Sequence, residues 1–116
     1  MNLLKETLEC LKDNKKTPED VSWVGSQDGK FAISWNEFIK LSENFEYDAG
    51  HGVQEVASNL VVVGDNWWLE RFEYDGSESW EFKSIIKRSE NSKKFKEIGQ
   101  NEYTMWKSIE ELNEEE

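Results

Sequence analysis

The segment Glu81-Phe82-Lys83 is the most reaction-like pattern in this sequence, with a glutamate and a lysine separated by one residue. In a strand these two charged side chains point to the same face. An upstream acid, Asp65 or Asp75, could complete a site in which carboxylates bind a metal ion and the lysine steadies the attacking water. Such short patterns are common in charged chains, and the acidic surroundings repel DNA. A metal-dependent nuclease is therefore an alternative hypothesis, and the simpler interpretation is a solvated strand face on which Glu81 pairs with Lys83.

Other catalytic chemistry lacks the side chains that it needs. Cys10 and His51 are the only cysteine and the only histidine, whereas a structural zinc site takes about four such ligands. His51 lies between Gly50 and Gly52, which indicates an exposed loop and a poor position for a catalytic base. Neither a calcium-binding loop nor a glycine-rich phosphate loop is present. The sequence therefore predicts no catalytic residue, no metal site, no cofactor and no enzymatic activity.

Acidic side chains are concentrated in the middle of the chain. Residues 43–82 contain ten acids and one base, Arg71, and have a net charge of −9 within a total of −11. A surface of this kind repels nucleic acid and anionic membranes but attracts basic proteins, including the nucleic-acid channels of nucleases and polymerases. We therefore expect a basic protein as the partner, with no direct binding of nucleic acid or membrane.

The aromatic side chains of the same region alternate with acids. Aromatic residues that alternate with bases would favour single-stranded nucleic acid, which stacks on the rings. With acids between them, the rings can anchor a basic protein while the carboxylates steer its approach. Core packing accounts for most of these rings. The predicted contact residues are the acids Asp48, Glu55, Asp65, Glu70, Glu73, Asp75, Glu78 and Glu81.

Apolar periodicity predicts helices at about residues 2–14 and 35–44, and Trp106, Ile109 and Leu112 indicate a last helix that Thr104 could cap. In the first helix Leu3, Leu4, Leu8 and Leu11 form the predicted apolar face. Ser34 and Glu37 form a capping box at the start of the second helix. Thr17-Pro18 indicates one further helical turn.

Alternating patterns predict the strands. Residues 21–25 and 31–33 form a hairpin around Asp28-Gly29, and residues 55–63, 67–74 and 79–86 form an antiparallel meander. An exposed edge of this meander could pair in a dimer. The predicted fold class is α+β, an antiparallel β-meander with a short N-terminal hairpin, packed with two to three helices. We expect one domain over residues 1–116, with an acidic C-terminal tail, about 110–116, that frays.

Cysteine usage and hydropathy favour the cytosol. A lone Cys10 cannot form an intrachain disulfide, on which small secreted domains usually depend. The N-terminal residues do not resemble a signal peptide. The longest apolar run, Leu60 to Val63, is far too short to span a bilayer.

Residues 60–83 resemble the core of a family of small uncharacterised proteins from phages and mobile elements of Gram-positive bacteria. The distinctive stretches are Trp-Trp-Leu-Glu-Arg and Glu-Tyr-Asp-Gly-Ser-Glu, and the similarity extends back through Trp23, Ser34-Trp35 and Tyr47-Asp48. The family has no assigned reaction, so the resemblance assigns no functional residue. What it implies is a setting, because small acidic phage proteins often disable host defence nucleases.

The leading hypothesis is thus a phage-type inhibitor, anti-CRISPR or anti-restriction-like, that occupies the basic channel of a nucleic-acid enzyme in the host cytosol. An immunity protein that neutralises a basic toxin is the alternative within the binding class. The nuclease with Asp65 or Asp75, Glu81 and Lys83 is the alternative of another class.

Overall fold

A computed structural model of the chain describes residues 1–50, 53–99 and 106–114. The chain separates into two compact units, Met1–Ile85 and Ile86–Glu116. The expectation of one domain over residues 1–116 stays a prediction.

The described residues of the first unit form two helices, one 3₁₀ turn and the strands, and the predicted α+β class is confirmed. The helices are α1 (Leu3–Asp13) and α2 (Trp35–Ser42), and the 3₁₀ turn is Pro18–Asp20. The strands are β1 (Val21–Ser26), β2 (Ala32–Ile33), β3 (Leu60–Gly64), β4 (Trp67–Tyr74) and β5 (Ser77–Ser84).

Within the described residues, five strands form a single antiparallel sheet in the order β2-β1-β3-β4-β5. The predicted meander is therefore present as β3, β4 and β5. The predicted N-terminal hairpin, β1 and β2, extends the same sheet because β1 pairs with β3. Short turns connect the strands of the meander. Along β3, β4 and β5 successive side chains point alternately to the two faces of the sheet.

The turn between β4 and β5 is tighter than the sequence predicted. Asp75 and Gly76 have φ angles of 51° and 83°, as a two-residue turn with both central residues left-handed requires. As a result β5 begins at Ser77 and ends at Ser84, whereas residues 79–86 were predicted. Glu78 thereby moves from the predicted turn into the strand.

The prediction that β3 begins at residue 55 is wrong, because the strand starts at Leu60. The preceding backbone has another partner. The N–H groups of Glu55 and Val56 donate to the carboxylate of Glu78, at 2.8 and 3.4 Å. A side chain therefore satisfies backbone donors that a strand would have paired in the ladder.

Both long helices begin at side-chain caps. Asn2 accepts from the N–H of Lys5 at the start of α1, and the predicted capping box of Ser34 and Glu37 is present at the start of α2. The inner face of α1 differs from the prediction. Thr7 lies at its centre and is fully buried, whereas Leu8 is exposed.

The core lies between α1, α2 and one face of the sheet. Its buried apolar side chains come from every layer of the first unit, namely Leu3, Leu11, Val24, Phe38, Tyr47, Val56, Val62, Trp67, Leu69 and Trp80. Thr7 joins the two layers, because it donates to the carbonyl of Leu3 at 2.7 Å and accepts from Nε1 of Trp80 at 2.9 Å.

In the second unit the described helix is α3 (Ile109–Leu112), which Ser108 caps. Trp106 was predicted to lie within the last helix, but it precedes the cap and has a φ angle of 57°. The proposed cap Thr104 lies outside the described residues. The side chain of Asn113 accepts from the N–H groups of Lys96 and Glu97, both at 2.9 Å. No helix in the described ranges is long and apolar enough to cross a membrane.

Candidate functional site

The two faces of the sheet in the first unit differ in what covers them. The helices α1 and α2 pack against the face that bears Val24, Val62 and Leu69. We call the opposite surface the outer face. Strand alternation and pairing register place on it side chains that include Trp23, Val61, Val63, Trp68, Glu70, Phe72, Tyr74, Ser77, Ser79, Glu81 and Lys83.

Aromatic side chains dominate the outer face. Trp68, Phe72 and Tyr74 lie along β4, and exposure rises along the strand to 46% for Phe72 and 74% for Tyr74. Antiparallel sheets with one solvated face usually place polar side chains there. A row of exposed rings on a sheet is instead typical of an interaction surface.

A groove of about 340 Å³ lies on the outer face. It is lined by Trp23, Gln27, Val61, Val63, Trp68 and Glu70. The tryptophan rings and valines form its apolar lining, and Glu70 supplies a carboxylate. This combination suits an aliphatic side chain that ends in a positive charge.

Three charged side chains lie among the rings. Glu70 accepts from Nε1 of Trp68 at 2.7 Å, which fixes both side chains. Directly across the strand pair lies Glu81, whose carboxylate binds Nζ of Lys83 at 2.9 Å. The hydrogen bond and charge of Glu81, with the charge of Glu70, raise the pKa of Lys83. The lysine thus offsets the repulsion between two like charges that face each other.

The hairpin tip, residues 73–77, adds negative charge beside Tyr74. Glu73 and Asp75 are both exposed there. Glu73 accepts from the N–H of Gly76 at 2.9 Å, so its carboxylate is held at the turn. Together, the outer face and the tip have four carboxylates and one lysine.

The structure removes Glu78 from the predicted contact residues. Its side chain is only 4% exposed and forms an ion pair with Arg71 at 2.9 Å. It also accepts from backbone N–H groups of the segment before β3. The sequence predicted an exposed turn acid, but the tight turn at Asp75-Gly76 places Glu78 on the inner face of β5.

The remaining predicted contacts do not form one surface. Glu70 and Glu81 lie on the outer face, and Glu73 and Asp75 lie at the hairpin tip. Asp48 and Glu55 belong to the segment before β3, where the N–H of Asp48 donates to the Glu55 carboxylate at 2.9 Å. Asp65 lies at the β3–β4 turn, at the opposite end of β4 from Asp75.

Beneath the outer face is a buried ionic cluster, the Arg71 network, formed by Arg71, Glu6, Tyr47 and Glu78. The Arg71 side chain is 5% exposed and reaches Glu6 at 3.3 Å and Glu78 at 2.9 Å. Its guanidinium lies 4.7 Å from the ring centroid of Trp80. Burial lowers the pKa of Arg71, but the hydrogen bonds to Tyr47 and Glu78 and the charge of Glu6 outweigh it and raise the pKa.

Tyr47 completes the Arg71 network. Its hydroxyl donates to Glu6 at 2.5 Å and accepts from Arg71 at 3.0 Å. Burial, followed by the hydrogen bond to Glu6, raises the pKa of Tyr47 to about 12. These groups bind one another across α1, β4, β5 and the loop after α2, which is the arrangement of a structural clamp. In the sequence Arg71 counts only as the one base among ten acids, although strand alternation places it on the same face as Trp67 and Leu69.

The nuclease alternative gains no support from this geometry. Asp65 and Asp75, the two alternative upstream acids, lie in the turns at the ends of β4, whereas Glu81 lies opposite Glu70 in the middle of that strand and is paired with Lys83. In residues 1–50, 53–99 and 106–114, no group of three His, Cys, Asp or Glu side chains could hold a metal ion. His51 lies outside the described residues.

No protein-family model, no curated protein and no solved structure matches the chain. The resemblance of residues 60–83 to a family of phage proteins therefore stays a prediction.

Proposed function

We propose that this protein is a non-enzymatic binding protein whose outer face, with the adjoining hairpin tip, docks onto a basic surface of another protein. The observation that supports this most strongly is the row of rings along β4, which ends in the exposed Phe72 and Tyr74. Aromatic rings of this kind supply a large share of binding free energy at protein interfaces.

Charge determines the kind of partner. Glu70 and Glu81 lie among the rings on the outer face, Glu73 and Asp75 lie at the hairpin tip, and Lys83 is the one base in this described set. Opposite charge accelerates encounter and disfavours acidic partners. The total charge of −11 adds a long-range attraction to basic proteins.

The partner that fits this chemistry is a nucleic-acid enzyme with a basic channel in the cytosol of a host cell. A protein that occupies such a channel excludes nucleic acid and inhibits the enzyme. The sequence resemblance favours a defence nuclease, including a CRISPR effector, as the host enzyme. Inhibition by occupancy of the channel requires no chemistry from this protein.

The test is a paired capture experiment from the lysate of a Gram-positive host. The baits are the wild-type protein, the ring variant Phe72→Ser/Tyr74→Ser, and the control Phe31→Ser/Leu41→Ser. Both control residues are exposed, at 76% and 69%. We expect one basic enzyme to bind the wild type and the control but not the ring variant.

Competition by nucleic acid and elution by salt then distinguish binding in the nucleic-acid channel from binding elsewhere on the enzyme. A partner held in its nucleic-acid channel is displaced by DNA or guide RNA and elutes at moderate salt. The combined variant Glu70→Gln/Glu73→Gln/Asp75→Asn neutralises three carboxylates. We expect it to associate with the enzyme more slowly and with a weaker dependence of the association rate on salt. Equal capture of the enzyme by the wild type and the ring variant would contradict the proposal.

A further inference from the structure

β5 lies at one edge of the sheet in the first unit. It is the last strand of the sheet, and within the described residues no strand pairs with its far side. The described segment after α2 meets the beginning of this edge, where the N–H of Glu78 donates to the carbonyl of Ala49 at 2.9 Å. An open edge of this length is a template for pairing with another strand.

The direction of the free backbone groups follows from that hydrogen bond. The N–H of Glu78 points away from β4, and N–H directions alternate along a strand. The N–H of Ile85 confirms the alternation, because it points back to the carbonyl of Asn66 at 2.9 Å. The N–H and C=O groups of Trp80, Phe82 and Ser84 therefore point outward.

The side chains of this edge are complementary to themselves. If two copies pair antiparallel around a two-fold axis at Phe82, each Glu81 lies opposite the Lys83 of the other copy. The same register places Trp80 opposite Ser84, so the three outward-pointing residues of each strand meet as hydrogen-bonded pairs. An axis at Glu81 or at Lys83 would instead place each of these side chains opposite its own copy, with like charges in contact.

We propose that two copies of this chain pair through the β5 edges, with the two-fold axis at Phe82 and reciprocal Glu81–Lys83 ion pairs on the outer face. The axis at Phe82 leaves the Glu78–Ala49 hydrogen bond intact, because pairing spans residues 80–84. About six backbone hydrogen bonds join the strands. The two sheets become continuous, and their two outer faces form one surface with two-fold symmetry.

Net charge determines the conditions under which the dimer forms. Each copy has a charge of −11, so the two copies repel each other at low salt. At physiological ionic strength the screening length is about 8 Å, which weakens the overall repulsion more than contacts between opposed side chains. The dimer therefore becomes more stable as salt rises from very low values.

Sedimentation velocity over a wide range of protein concentrations tests the proposal. The wild type should sediment as a concentration-dependent dimer at physiological salt. Glu81→Lys alone, or Lys83→Glu alone, puts like charges opposite each other and should weaken dimerisation at least tenfold. The double variant Glu81→Lys/Lys83→Glu restores the opposite pairing and should restore the dimer. Glu19→Lys, which changes the net charge as Glu81→Lys does, reduces the repulsion between copies and should not weaken the dimer.

A backbone variant tests the edge independently of charge. Ser84→Pro removes an outward N–H and no bond to β4, so the monomer should stay folded while the dimer is lost. Ser84→Ala keeps the N–H and should dimerise as the wild type does. A wild type that stays monomeric at all concentrations contradicts the proposal, and so does a dimer that is indifferent to Ser84→Pro and to both charge reversals.

Discussion

The two faces of the β4–β5 hairpin contain similar residue types with different surroundings. On the inner face an arginine pairs with glutamates and packs on tryptophan, and the Arg71 side chain is 5% exposed. On the outer face a lysine pairs with a glutamate beside tryptophan, and the Lys83 and Glu81 side chains are 43% and 39% exposed. The alternation of side chains along these two paired strands thus separates the buried Arg71 network from the exposed aromatic surface.

Exposure to solvent determines how much each set of contacts contributes to folding stability. A buried charge without its partner has lost its hydration and gains nothing in return, whereas an exposed ion pair contributes little in water. We therefore expect the inner face to determine folding stability and the outer face to determine recognition. The following variants test this division, from the largest expected effect to the smallest.

Arg71→Met should be the most destabilising of these variants. It leaves the carboxylates of Glu6 and Glu78 without a cation in the interior, and breaking a buried ion pair typically costs about 3–5 kcal/mol. Urea unfolding of the wild type and the variant measures the loss. Arg88→Met is the matched control, because Arg88 is exposed. A loss below about 1 kcal/mol for Arg71→Met would show that the network contributes little to stability.

Thr7→Val should cost less, about 1–3 kcal/mol, because it leaves Nε1 of Trp80 buried without an acceptor. Trp80→Phe removes the same hydrogen bond from the other side. A double-mutant cycle over the two positions, measured by urea unfolding, isolates their coupling. If the two losses simply add, the hydrogen bond contributes no coupling free energy.

Stability should fall at alkaline pH through Tyr47. Its pKa is about 12 in the folded protein and about 10 when unfolded. Between these values the folded state retains a proton that the unfolded chain releases, so the free energy of unfolding decreases as pH rises from about 10 to about 12. Below pH 10 this contribution is complete. Thermal unfolding of the wild type and of Tyr47→Phe between about pH 10 and about pH 12 measures this contribution. Equal pH dependence of stability in the two proteins would contradict the prediction.

The ring variant of the outer face should have the smallest effect on stability. Phe72→Ser/Tyr74→Ser changes side chains that are exposed, so the free energy of unfolding should change by less than about 1 kcal/mol. Leu69 lies on the inner face of the same strand and is fully buried, so Leu69→Ala should cost about 2–5 kcal/mol. Urea unfolding of both variants checks this contrast. A ring variant as unstable as Leu69→Ala would contradict the predicted contrast between the two faces.

Local signals in the sequence predicted most of the fold. The capping box at Ser34, the Asp28-Gly29 turn and the alternation in residues 67–74 each depend on neighbours in the chain, and each is present in the structure. The start of β3 was mispredicted because the carboxylate of Glu78, more than twenty residues away, binds the backbone of Glu55. A contact between residues so far apart in the chain leaves no pattern in the sequence around either residue.

The candidate site was only partly predictable. Aromatic and acidic residues around β4 indicated a binding face, and alternation placed Glu70 correctly beside Trp68. Composition could not distinguish an exposed acid from a buried one, so Glu78 was assigned to the surface. Its burial depends on Arg71, which itself enters the core only because α1 and the loop after α2 supply Glu6 and Tyr47.

The most direct test of the central claim is the affinity of the captured partner for the wild type, for Phe72→Ser/Tyr74→Ser and for Phe31→Ser/Leu41→Ser, measured by titration calorimetry at physiological salt. Loss of two anchoring rings should weaken binding at least tenfold, which corresponds to about 1.4 kcal/mol. The control should bind as the wild type does. Equal affinity of all three proteins would contradict the assignment of recognition to the outer face.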